Sequence, residues 1–98
     1  MDRKSILDRL RAHEPELRRL GISHLALFGS VARGEARGGS DVDLAAVLDP
    51  RRPLGVFRFA ALRERIEDLL NAPVDLIAEP IERKALRERI ERDRVHVF

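Results

Sequence analysis

Ninety-eight residues without a cysteine make a single domain, able to bury roughly 60–65% of its unfolded surface, and exclude disulfides, zinc-thiolate sites and thiol catalysis. Charged residues make up 37% of the chain, yet 19 cations against 17 acids leave a formal charge of only +2, a balance that weighs against direct nucleic-acid binding. No run approaches the ~20 apolar residues of a membrane span and no basic-then-apolar leader opens the chain, so a cytoplasmic protein without membrane contact is expected.

Residues 3–13 read as a first helix, with Ile6, Leu7 and Leu10 on one face at helical spacing. Pro15 suits the first turn of a short second helix that carries Leu17 and Leu20, and Gly21 ends it. Leu25 to Phe28, within a strand over residues 24–28, is an apolar run of buried-strand length. A short helix and then a loop follow, marked by Gly34, Gly38 and Gly39. From Asp41 to Leu48 the chain alternates: Val42, Leu44, Ala46 and Leu48 share one strand face, and Asp41, Asp43, Ala45 and Val47 share the other. Asp49-Pro-Arg-Arg-Pro53 is turn chemistry. The helix expected over residues 55–70 presents Phe57, Ala61, Leu62, Ile66, Leu69 and Leu70 as its packing stripe. Val74-Asp75-Leu76-Ile77 is a short strand, and residues 81–92 form a last amphipathic helix with Ile81, Ala85, Leu86 and Ile90 inward. Its glutamates and arginines interleave at i±3 and i±4 as solvated ion pairs. Residues 95–98 add a small strand or pack Phe98 on the core. The three histidines read as surface and strand-end residues rather than ligands.

The chemistry lies between the first two strands. Gly29-Ser30 falls where strand becomes helix, ten residues separate Ser30 from Asp41, and Asp43 stands two further on. Glycine lets backbone approach a phosphate closely, and the amides that follow point donors at anions. Ser30 either caps the helix or offers its hydroxyl to a phosphate oxygen. On a strand, Asp41 and Asp43 leave the same face. Two adjacent carboxylates invite a hard divalent cation such as magnesium, bridging to substrate phosphates. The bland reading of these acids is a solvated strand edge, and Gly29-Ser30 at this spacing makes it much the weaker one. Arg33 and Arg37 lie in the connecting segment, where each either contacts a triphosphate or balances Glu35 and Asp41. Aspartate is disfavoured inside a strand, so Asp75 asks for a reason: a sheet-edge position, or a third carboxylate beside the pair.

The stretch from Leu25 to Leu44 closely resembles the signature of the polymerase beta-like nucleotidyltransferase superfamily. More narrowly, it resembles the minimal nucleotidyltransferase (MNT) proteins, of the MntA-like kind that act as antitoxins to HEPN-domain toxins. The likeness extends over nearly all of residues 1–98, read as one domain. It implies an α/β (α+β) nucleotidyltransferase fold, a small mixed sheet backed by helices. It also implies roles: Asp41, Asp43 and Asp75 as catalytic and metal-holding acids for one or two Mg2+ ions, Gly29 and Ser30 as triphosphate-positioning residues, and Arg33 beside them. The implied reaction moves AMP from ATP to a hydroxyl, a tyrosine of a partner HEPN ribonuclease. This chain has no tyrosine of its own. Two rivals stand beside that reading: an antitoxin that neutralises by binding alone, and a nucleotidyltransferase acting on RNA ends or a small molecule.

Overall fold

The computed structural model describes residues 2–37 and 41–98; Gly38 and Gly39, two of the three glycines that mark the expected loop, lie outside them. Helices α1 (Arg3–Ala12) and α2 (Glu14–Arg19) lead into strand β1 (Ile22–Phe28). The single-turn helix α3 (Gly29–Ala32), strand β2 (Val42–Leu48), helix α4 (Val56–Leu70) and strand β3 (Val74–Glu79) follow. Helix α5 (Lys84–Asp93) and the two-residue strand β4 (Val95–His96) close the order. Local chemistry sets several boundaries. Asp2 caps α1 by accepting from the Ser5 amide (2.8 Å). Pro15 sits in the first turn of α2, and Asn71 turns left-handed (φ 51°) to end α4.

The described strands form one mixed sheet in the order β3-β2-β1-β4. Central β2 runs antiparallel to β1 and parallel to β3, the parallel pair being joined by the α4 crossover. That arrangement decides where chemistry can gather. It brings the end of β1 and the starts of β2 and β3 to one end of the sheet, with Phe28 beside Asp43 and Asp43 beside Asp75. Strand β4 pairs with β1 there too, Val95 opposite Leu27. Helix α5 therefore delivers its C-terminus to this same end.

Helices cover both faces. On one, Ile6, Leu10 and Leu17 of α1 and α2 and Leu62, Ile66 and Leu70 of α4 bury Leu25, Leu27, Leu44, Ala46 and Leu76. On the other, α5 lays Ile90 with Ile81 against Phe28 and Ala45, flanked by Ile77 and Leu86. The expected alternation of β2 holds, and the face that carries Asp43 is also the face beneath α5. Phe98 packs into the larger core.

Leu20, expected to continue the apolar face of the second helix, is 41% exposed at the cap of α2, and three expected packing positions of α4 and α5 face outward. Phe57 is 90% exposed, and Ala61 and Ala85 are exposed as well. The reason is angular. Phe57 precedes Ile66 by nine residues, about 180° around a helix, and Ala61 and Ala85 precede Ile66 and Ile90 by five, about 140°. The last helix also begins at Lys84 rather than at residue 81. Ile81 is buried from the irregular segment before it.

Candidate active site

Strand β1 delivers Phe28 to the sheet end, and the backbone then turns through Gly29 at φ +76°. This residue must be glycine on two counts. Its conformation is left-handed, which a side chain resists. A Cβ built there would also collide with Oδ2 of Asp43. The Gly29 backbone and the Asp43 carboxylate thus lie directly against one another, which the spacing in sequence implies only as proximity. Behind them, α3 is pinned at its far end. Arg3 donates to the Ala32 carbonyl (2.8 Å), the Arg33 amide donates to the Gly29 carbonyl (3.1 Å), and Gly34 reverses the chain at φ +74°. Ser30 stands inside α3 while Phe28 occupies the cap position without a side-chain bond. The capping alternative for Ser30 is therefore not the one adopted.

Asp43 and Asp75 are lateral neighbours on parallel strands, whose backbones run about 4.8 Å apart. Asp43 is half-buried, Asp75 is exposed at the sheet edge, and Asp41 is exposed just ahead of β2. Burial raises the Asp43 carboxyl above its ordinary range first, and the negative charges of Asp75 and Asp41 raise it further. The guanidinium groups of Arg89 and Arg33 act in the opposite sense. Among the described residues no three acids or histidines already converge as a closed ion site. An open one suits the donors present: hard carboxylate oxygens, mutually repelling, on adjacent strands. Magnesium commonly takes one or two protein carboxylates and fills its remaining positions with water and substrate phosphate oxygens. The donor set fits that ion.

Arg33 is held from two sides. Its Nε donates to Glu35 (2.9 Å) and its Nη1 to Oδ2 of Asp93 on α5 (2.7 Å). It therefore does balance Glu35, as one of its two expected readings has it, while keeping a charge that reaches Asp43. Arg37 is exposed in the segment after α3. Asp93 and Arg89 are the neighbours that sequence reasoning missed. Both sit in the charge-dense last helix, where they look like any other solvated ion-pairing residue. Only the antiparallel return of β4 brings that end of the helix to the site.

Comparison with known proteins agrees with this arrangement. The model of the nucleotidyltransferase domain family matches residues 6–97. The chain is 36% identical over 89 residues to the protein adenylyltransferase MntA of Thermococcus cleftensis, covering 90% of this chain and 88% of that one. A Methanocaldococcus jannaschii protein assigned as a protein adenylyltransferase is 32% identical over 90 residues, with 90% of each chain covered. Among solved structures, one assigned as a minimal nucleotidyltransferase superposes with a TM-score of 0.79 at 35% identity, over 97% of this chain and 95% of that one. A chain from a toxin–antitoxin structure with AMP-PNP shares the fold at TM-score 0.70 and 20% identity, over 100% of this chain and 73% of that one. With nearly its whole length matched, the chain belongs to the nucleotidyltransferase domain family, as an enzyme of its minimal, MntA-like kind.

Proposed function

We propose that this protein is an antitoxin that transfers AMP from magnesium-bound ATP to a tyrosine hydroxyl of a HEPN-domain toxin. One observation carries the reading furthest: the Gly29 backbone packed directly against Asp43, itself beside Asp75 in the parallel register. A steric inhibitor has no use for that arrangement. Relatives of the chain are protein adenylyltransferases, and a fold neighbour is an MNT antitoxin bound to a tri-AMPylated HEPN toxin from Shewanella oneidensis. These support the donor and the acceptor class.

In this reading Gly29 and Ser30 position the β- and γ-phosphates, so that the α-phosphorus lies open to in-line attack. Asp41 and Asp43 hold magnesium, with Asp75 alongside. The bound cation supplies charge neutralisation for the triphosphate and for the attacking and leaving oxygens. The acceptor oxygen forms a bond to the α-phosphorus as the bond to the β-phosphate oxygen breaks, and pyrophosphate leaves. Asp75, the exposed acid at the sheet edge, would in this reading receive the proton lost by the acceptor hydroxyl.

The test incubates the chain with a purified HEPN-domain partner, magnesium and ATP labelled at the α-phosphate. Label should appear on the partner, depend on magnesium, and vanish with Asp43→Asn. A tight complex that silences the toxin without label, unaffected by Asp43→Asn, would leave steric neutralisation as the function.

A further inference from the structure

Asp93 and Arg33 stand sixty residues apart in the chain and meet at 2.7 Å across the α3–α5 junction. The two partners are unequal. The Asp93 side chain is only 8% exposed, whereas that of Arg33 is 41% exposed. A carboxylate that deep requires a fixed cation beside it. The cation it has fixed is the one that caps α3, the single-turn helix that opens at the Gly29 turn. Arg33 is further constrained by its own amide, bonded to the Gly29 carbonyl. The contact with Glu35 is solvent-exposed on both sides and adds little restraint. A guanidinium carries five N–H donors in a rigid plane. Among the described residues, the two bonds use Nε–H and one hydrogen of Nη1, which leaves three donors in the same plane, held in orientation by Asp93.

We infer that Asp93 is a positioning residue of the nucleotide site: it locks the Arg33 guanidinium in the orientation in which its remaining donors meet the triphosphate. Helix α5 is then part of the active site rather than only its cover. Arg89, one turn earlier on the same helix, adds a second positive charge toward Asp43. Ile90 anchors the helix in the smaller core, and three residues later Asp93 falls against α3.

The inference rests on the nucleotide-binding reading above and is tested by a double-mutant cycle on the full chain. Affinity for ATP with magnesium is measured by titration calorimetry for wild type, Asp93→Asn, Arg33→Ala and the double variant, with thermal melts in parallel. Asp93→Asn should weaken ATP binding about tenfold, and in the Arg33→Ala background it should weaken it no further. A purely structural pair would lower the melting temperature while leaving the affinity of the folded protein unchanged, and that outcome overturns the inference. Equal losses in both backgrounds also overturn it, because Asp93 would then act by a route that bypasses Arg33. If Asp93→Asn does not fold, Asp93→Glu takes its place in the cycle, keeping the charge but moving it by one methylene. Wild-type protein that binds no ATP would instead defeat the functional reading itself.

Discussion

At the scale of single residues, the site is a place where the fold works against itself. Gly29 and Asp43 occupy space that leaves no room for even a methyl group between them. Gly29→Ala adds that methyl and forces a left-handed alanine as well. It should cost about 1–3 kcal/mol in denaturant unfolding and remove transfer activity even where the protein remains folded. Asp43 is held above its ordinary carboxylate range by burial and by Asp75 and Asp41. Its proton is therefore bound more tightly in the folded state than in the unfolded one. The stability this gives is present at acid pH and is lost as the pH rises through the raised folded value. Asp43→Asn should accordingly raise the melting temperature of the metal-free protein at pH 7. The gain should be below about 1 kcal/mol, because the half-exposed site is screened, and should fade as the pH is lowered toward 4. Melts of both proteins across that range check the sign. Gly29, Asp41 and Asp43 are legible in the sequence because their chemistry is packed into a short stretch. The contact between Gly29 and Asp43 is not, since spacing carries no distances.

At the scale of elements, the two helices flanking the last full strand show what periodicity does and does not reveal. The buried line of α4 is Leu62, Ile66 and Leu70, spaced by four. Phe57 belongs with that line by size and polarity, yet it projects into solvent from the opposite side. Composition misleads there, and angle decides. Helix α5 has a single fully buried residue, Ile90. Its attachment to the sheet and to the site therefore depends on very few contacts. Ile90→Ala should lower stability by about 2–5 kcal/mol, whereas Phe57→Ser should change it by no more than about 0.5 kcal/mol. Urea unfolding of the two variants side by side tests both assignments.

At the scale of the whole molecule, the helix and strand order is recoverable from the chain's own pattern, and the mixed sheet from the family resemblance alone. The strand neighbours are not. Nothing in the local pattern of Asp75 states that its strand lies beside β2 in parallel with Asp75 abreast of Asp43. That follows from the crossover through α4, a tertiary choice. The same is true of Asp93 and Arg89, whose approach to the site depends on β4 pairing back along β1. Sequence reading finds chemistry carried by neighbours along the chain and loses chemistry assembled by topology. The sheet's polarity has a further consequence. Because β1 finishes and β2 and β3 begin at one end, the connections at residues 49–55 and 80–83 lie at the opposite end. Ile81 buries the second of these in the smaller core, but residues 50–53 of the first are exposed, and segments grafted into them would leave the candidate site residues where they are. A transferase of this plan can acquire new recognition modules by loop growth alone, changing what it modifies without retuning how it modifies it.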